Sequence, residues 1–198
     1  MLAAASIPAP FFRYDVECLR PATERGRKWA ARLARADYAL RHVPGAHWLI
    51  ETLDRRIERA PVWSDGFTNL VTTAGKTDLI DKYFKGSAYT AAWFLGLKGT
   101  GTAAVGDTLA SHATWAEVNP YTGNRPAITF GTTSGGSNTA SAVSYAITLA
   151  GPTTVAGAFV ASANTGTAGT LYSAGDFAAS RSVVSGDTLN VTLTVSAT

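Results

Sequence analysis

Residues Asn69–Leu97 read NLVTTAGKTDLIDKYFKGSAYTAAWFLGL, and the expected fold is built outward from this stretch. Thr77 is placed to cap a helix with its hydroxyl, and Gly86 is placed to end that helix in a left-handed conformation. The residues from Ala92 to Leu97 are apolar on both faces of an extended chain, which predicts a buried strand. The stretch therefore predicts a strand, a short helix and a central strand.

The predicted helix has one apolar face, because four of its apolar residues recur at helical spacing. These residues are Leu79, Ile80, Tyr83 and Phe84. Asp78 near the first turn and Lys85 near the last complement the helix dipole. We expect this helix to close one end of a β-rich body.

Short apolar segments separated by Gly-, Ser- and Asn-rich turns continue to the C-terminus. The clearest is the last, where Leu189 to Val195 alternates strictly between apolar and polar residues. The predicted strands are 67–72, 92–98, 114–118, 127–131, 142–149, 154–161, 169–172 and 188–196. This pattern predicts a mainly β fold, a jelly-roll-like antiparallel β-sandwich with a short helix, preceded by an N-terminal helical arm.

Charge divides the 198-residue chain into two parts. Through Val62 there are eleven Lys and Arg against seven Asp and Glu, a net charge of +4, whereas the remainder carries −1. Charged residues make up only 16% of the chain, against about 25% in ordinary soluble domains. We therefore predict a basic arm over residues 1–61 and a nearly neutral β-sandwich body over residues 62–198.

The arm is predicted to contain a short strand over 13–19 and two amphipathic helices, 23–42 and 46–59, separated by Pro44-Gly45. Each helix carries an apolar stripe that needs a covering surface. The residues predicted to make partner contacts are Trp29, Leu33 and Leu40 on the first helix and Leu49, Leu53 and Ile57 on the second.

Three interpretations of the arm stay open at this point. The arm packs on its own β body, it docks on a neighbouring subunit or partner, or its arginine face binds nucleic acid. Seven acidic residues interleave with the basic ones, which weakens the continuous positive stripe that nucleic-acid binding requires.

Neither a catalytic constellation nor a cofactor or metal site is predicted. Cys18, His42 and His47 lack the spacing of known zinc sites, and Asp78 with Asp81 is explained by helix capping and ion pairing. Gly75-Lys76-Thr77 ends like a phosphate loop but lacks the glycine that the motif needs upstream.

The single cysteine excludes an internal disulfide. The first twelve residues have no basic segment ahead of their apolar run, so no signal peptide is expected, and no apolar run is long enough to span a membrane.

The aromatic residues allow a different function. Six of them could form a platform on which sugars stack: Trp63, Tyr89, Trp93, Trp115, Tyr121 and Tyr172. Core packing is the favoured interpretation for Trp93 and Trp115. Arg125 is expected to pair with Asp107 or Glu117 rather than with a ligand.

Five segments in a fixed order carry a resemblance to a known family. They are residues 69–101, TLASHATWAEV (108–118), NRPAITFGTTSGG (124–136), TTVAGAFVAS (153–162) and VVSGDTLNVTLTVSAT (183–198). Together they resemble small virion structural proteins of tailed double-stranded DNA bacteriophages, over about two thirds of the chain. The two arm helices look like an insertion relative to that family.

The resemblance implies a capsid cement or decoration protein without enzymatic activity. Its expected partners are the major capsid protein and further copies of itself, as a dimer or trimer, with no membrane. Its expected location is the outer surface of the capsid, after assembly in the host cytoplasm. The alternative is a tail or head fibre module that binds host glycans through its loop aromatics.

Overall fold

The computed structural model describes residues 11–40, 43–89 and 92–196. This part of the chain is mainly β, with nine strands and three short α-helices. The strands are β1 (Phe11–Pro21), β2 (Arg59–Thr68), β3 (Leu70–Val71), β4 (Phe94–Lys98), β5 (Ser137–Thr139), β6 (Val143–Ala146), β7 (Thr153–Ala161), β8 (Leu171–Val183) and β9 (Thr188–Ser196). The helices are α1 (Glu24–Leu40), α2 (Ala46–Asp54) and α3 (Thr73–Leu79), and a π-helical turn (Ile80–Phe84) continues α3.

The strands form two antiparallel sheets. Sheet 1 has the order β2-β1-β9-β5, and β6 also pairs with β9. Sheet 2 has the order β3-β8-β7-β4. The mainly β class and the two antiparallel sheets confirm that part of the expectation, whereas the jelly-roll connectivity stays a prediction.

The two sheets share one hydrophobic core, as in a β-sandwich. Two fully buried tyrosines from sheet 1 also bond to sheet 2. The Tyr14 hydroxyl lies 3.1 Å from the Ser173 hydroxyl, and the Tyr145 hydroxyl donates to the Leu95 carbonyl over 2.8 Å. Since a buried hydroxyl without a partner is costly, these bonds fix how the sheets face each other.

The prediction that Ala92–Leu97 is a central strand was wrong. β4 is the last strand of sheet 2 and pairs in register only with β7. It is nevertheless buried, because isolated bridges to Ala127 and Glu117 cover its outer edge. The outer edge of β4 is therefore paired by segments of the loop that follows it, although β4 is not a central strand.

The predicted cap of α3 was also wrong. The hydroxyl of Thr72, not that of Thr77, accepts a hydrogen bond from the Gly75 N–H over 3.0 Å, and Thr77 lies inside the helix. Thr72 has the extended backbone of an N-cap residue, and its hydroxyl also donates to the Leu171 carbonyl of β8. Gly86 does adopt positive φ, as expected after the helical turn.

Several predicted boundaries differ from the observed ones. Residues 114–118 and 127–131 form isolated bridges rather than continuous strands. Residues 169–172 are only the start of β8, which continues to Val183. The second arm helix ends at Asp54 instead of Arg59, because the chain must turn into β2.

The predicted strand over 13–19 is confirmed and lies within β1. Residues before Pro61 supply β1 and the start of β2 to sheet 1, and α1 and α2 lie between these strands. The division into an arm and a body stays a prediction. Within the described residues, no helix has the length and apolar character needed to cross a membrane.

The end of β1 is tied to the turn between β8 and β9 by an ion pair. The Arg20 guanidinium donates two hydrogen bonds to the buried Asp187 carboxylate, over 2.7 and 2.8 Å. The same carboxylate accepts from the Val184 N–H over 3.0 Å. This pair positions the point at which the chain leaves sheet 1 for α1.

We predict that Asp187→Ala lowers the free energy of unfolding by about 2–3 kcal/mol, because it leaves the Arg20 guanidinium and the Val184 amide without their acceptor. Urea denaturation measures the change. Asp15→Ala is the matched control, since the Arg13–Asp15 pair is solvent-exposed and contributes little. Equal effects of the two substitutions would contradict the structural role of Asp187.

Candidate functional site

The helices α1 and α2, together called the helical hairpin, leave sheet 1 between two hydrogen-bonded strands. Pro21 at the end of β1 pairs with Arg59 at the start of β2. The Ala22 N–H donates to the Glu58 carbonyl over 3.0 Å. Both ends of the hairpin are therefore held side by side by the sheet.

The inner face of α1 packs on the strands of the same chain. Ala30 and Ala31 are buried there, and the Arg35 guanidinium donates to the Thr148 carbonyl. A Cβ atom on Gly186 would lie 2.5 Å from the Arg27 carbonyl oxygen, and Gly186 has positive φ. Glycine is therefore required in this turn, and the turn touches the helix backbone.

The outer face of the helical hairpin carries large apolar side chains in contact with solvent. Trp48 is 69% exposed and Leu49 54%. Trp29, Leu40 and Leu53 are exposed as well. Several large exposed apolar side chains on one pair of helices are typical of surfaces that bind a partner.

The structure brings four of the six predicted contact residues together in one groove of about 470 Å³. They are Trp29, Leu33, Leu53 and Ile57. Leu33 is the buried member. Leu40 and Leu49 are exposed but are not part of this lining. Their predicted contacts with a partner stay predictions.

The charged side chains that line this groove are Arg25, Arg56 and Glu58, a net charge of +1. In addition, the Arg32 guanidinium lies 6.0 Å from the centre of the Trp29 ring. At this distance the cation is attracted to the ring face. The groove therefore combines an apolar floor with arginine side chains, an arrangement that suits an apolar segment bearing carboxylates.

An ion pair links the two helices. Nδ1 of His47 lies 2.7 Å from Oδ1 of Asp37. The hydrogen bond to Asp37 and its negative charge raise the pKa of His47 above its ordinary value. Since both side chains are exposed, the pair orients the helices more than it stabilises them.

Trp48 is highly exposed, although its position outside the apolar stripe did not predict a contact residue. It directly precedes Leu49 and Ile50 but does not belong to the apolar stripe of α2. Its exposure depends on what the helix packs against, which periodicity alone does not report. The nearest signal was the presence of a tryptophan outside the stripe.

Within the described residues, no group of three or more His, Cys, Asp and Glu side chains could hold a metal ion. His42, one of the three zinc ligands considered, lies outside the described residues. Asp81 pairs with Lys85 over 2.7 Å, in agreement with the ion-pair interpretation.

The expected pairing of Arg125 is confirmed with Glu117. The guanidinium donates to both carboxylate oxygens, over 2.8 and 2.6 Å, and also to the carbonyls of Ala163 and Gly166. Asp107 instead accepts from the indole N–H of Trp115 over 2.8 Å. Arg125 therefore links the loops that contain Glu117, Ala163 and Gly166, and each of its three guanidinium nitrogens donates to the protein.

A second groove, of about 430 Å³, lies where α3 and its π-helical turn meet the two sheets. Its aromatic lining residues are Phe12, Tyr83, Tyr89, Trp93, Phe130 and Tyr172, and we call it the aromatic groove. Three of the six residues considered for sugar stacking, Tyr89, Trp93 and Tyr172, meet here. Trp115 is buried against Phe159, as expected of a core residue, whereas Trp93 is half-buried.

Cys18 is buried beside the Arg20–Asp187 pair, with its Sγ 3.8 Å from Oδ2 of Asp187. Burial, and secondly the negative charge of Asp187, raise the pKa of the Cys18 thiol to about 12. The thiolate is the reactive form of cysteine, so this thiol is held in its inert state.

Neither a protein-family model nor a curated protein matches this chain.

We predict that the free energy of unfolding falls as the pH rises above about 8.5, by up to about 1.4 kcal/mol per pH unit. Above that pH the unfolded chain releases the Cys18 proton, whereas the folded chain keeps it until about pH 12. Urea denaturation between pH 8 and 9 measures the slope, because at higher pH the buried tyrosines Tyr14, Tyr121, Tyr145 and Tyr172, whose pKa values are also raised, add slopes of their own.

Cys18→Ala removes this ionisation and should flatten the slope, so it serves as the control. In addition, an alkylating reagent at pH 8 should label Cys18 only in unfolded protein. Rapid labelling of the native chain would contradict the raised pKa.

Proposed function

We propose that this protein is a structural protein of the virion of a tailed double-stranded DNA bacteriophage. In this proposal it acts as a capsid cement that binds the outside of the head and stabilises the lattice of the major capsid protein. The resemblance across residues 69–198 supports the proposal, and the mainly β fold is compatible with it. The observation that carries it is the exposed apolar outer face of the helical hairpin.

The physical basis of such a function is buried surface. Removing apolar area from water contributes about 25 cal/mol per Å², and tryptophan is enriched among the residues that dominate binding energies. The rigid attachment of the helical hairpin to β1 and β2 also lowers the entropy lost on docking. On a lattice these contacts repeat in every copy, so individually modest interfaces reinforce the whole shell.

The charge of the helical hairpin defines the partner surface further. With Arg25 and Arg56 at the groove, the complementary surface on the major capsid protein would present carboxylates around an apolar segment. Assembly into a dimer or trimer is part of the same proposal.

A cryo-EM reconstruction of the virion that carries this protein tests the proposal directly. Copies arrayed on the icosahedral head, with the helical hairpin against the capsid lattice, are the expected result. Density confined to the tail, neck or fibres would overturn the cement function.

We predict that the double variant Trp48→Ala, Leu49→Ala weakens binding to heads that lack the protein by at least about tenfold, because it removes the two most exposed apolar side chains of α2. Co-sedimentation with such heads measures the affinity. The fold should be unaffected, since both side chains are exposed. Thermal unfolding checks this.

Val105→Ala is the matched control, since Val105 is an exposed apolar residue in the loop after β4. Undiminished binding of the double variant would show that the outer face is not the contact surface.

The alternative is a tail or head fibre module that binds host glycans. The observation that favours it is the set of aromatic rings that line the aromatic groove. A glycan array probed with the full-length protein distinguishes the two functions. Binding that is lost in Trp93→Ala would support the fibre module, whereas absence of binding would leave the cement proposal.

A further inference from the structure

Among the residues that the structure describes, the aromatic groove is an apolar surface with an unusual degree of exposure. Tyr83 is 78% exposed, and Leu79, Tyr89 and Phe130 also contact solvent. Its volume of about 430 Å³ lies in the range of clefts that hold a ligand or a peptide segment. Apolar clefts of this kind are usually covered.

Most polar groups of the groove are already engaged within the protein. The Asn138 amide bonds to Gly131 and Thr133 through both of its ends. The Lys82 ammonium donates to the Ala88 carbonyl over 2.6 Å, and the Tyr89 hydroxyl accepts from the Trp93 indole N–H over 3.1 Å. A sugar needs several partners for its hydroxyls, so the groove suits an apolar occupant better.

The N-terminal residues 1–10 have the composition that such a groove requires. They read MLAAASIPAP, with seven apolar residues, one serine, two prolines and no charge. The prolines favour an extended backbone. The backbone N–H groups of the other residues can donate to the Asp78 carboxylate, a further polar member of the lining.

The position of β1 brings these residues to the groove. β1 begins at Phe11, directly after them, and the next residue, Phe12, is itself part of the lining. The Phe12 ring packs 5.2 Å from the ring of Tyr172, also in the lining. Ten residues reach up to about 33 Å, so the segment is long enough to cross the groove from its starting point.

We propose that residues 1–10 of this chain dock in its own aromatic groove and cover the rings of Tyr83, Tyr89 and Phe130. The groove is thus an intramolecular binding site for an uncharged, apolar N-terminal segment. This proposal is independent of the cement function, because it concerns a different surface from the outer face of the helical hairpin.

Photo-crosslinking of the full-length protein tests the proposal. Benzoylphenylalanine replaces Ile7, and mass spectrometry maps the crosslinked peptides. We expect crosslinks to the segments that contain Leu79, Tyr83 or Phe130, within one chain. Benzoylphenylalanine at Leu149, an exposed apolar residue after β6 that is not part of the groove lining, is the control and should give none of these crosslinks.

A mixture of ¹⁵N-labelled and unlabelled protein distinguishes the source of the segment. Crosslinks in the groove between a labelled and an unlabelled chain would overturn the proposal in favour of a second copy as the occupant. Crosslinks to other surfaces, or none, would overturn it as well.

A hydrophobic fluorescent dye provides a second measurement that does not depend on the crosslinker. The double variant Leu2→Glu, Ile7→Glu should raise dye binding severalfold, and adding Tyr83→Ser should reverse part of this rise. Leu149→Glu, a change of an exposed apolar residue outside the groove, should leave dye binding unchanged. Equal dye binding by the full-length protein and the double variant would contradict the docking.

Glycan binding by the full-length protein that is lost in Tyr83→Ser would also contradict the docking, because the groove would then be open to an external ligand.

Discussion

The register of β9 is the constraint on which the rest of the structure depends. β9 pairs with β1 over nine residues on one side and with β5 and β6 on the other. Its side chains alternate, so Leu189, Val191 and Leu193 all face the core and are buried. A slip of one residue would turn all three to solvent and bring asparagine and threonine inward. The alternation therefore fixes the register of sheet 1.

The helical hairpin is compatible with this register because of how it is attached. β1 and β2 are neighbours in sheet 1, although residues 22–58 separate them in sequence. Once the strands pair, the ends of the insertion are already close, and a longer connection adds little further entropy cost. The hydrophobic core between the two sheets therefore does not depend on which side chains residues 22–58 bury. This explains how its outer face can keep Trp48 and Leu49 in water while its inner face packs on the strands.

Local sequence patterns predicted the elements whose secondary structure does not depend on contacts with distant residues. The alternation over 188–196 predicted β9 with its observed bounds. Helical spacing placed Trp29 with Leu33, and Leu53 with Ile57, on faces that meet in one groove. β2 was missed, because Pro61 and Gly66 weaken its strand pattern and only pairing with β1 makes it regular.

Features that depend on distant parts of the chain could not be predicted in this way. The cap of α3 is Thr72, whose hydroxyl also bonds to Leu171 in β8, 99 residues further along the chain. The burial of β4 depends on bridges to the loop that follows it. The aromatic groove likewise joins residues from both ends of the chain, such as Phe12 and Val195, through the pairing of β1 with β9.

The outer face of the helical hairpin and the aromatic groove differ in the charge around them, and this difference distinguishes their proposed roles. Residues 22–58, which contain the helical hairpin, carry eight Lys and Arg against five Asp and Glu, a net charge of +3, whereas the charges of the rest of the chain sum to zero. Association through its outer face should therefore weaken as salt screens the arginines. The aromatic groove is lined mainly by uncharged side chains and is proposed to receive an uncharged segment, so its occupancy should be nearly independent of salt. One surface thus has the character of a site for a separate charged partner, and the other that of an extension of the protein's own core.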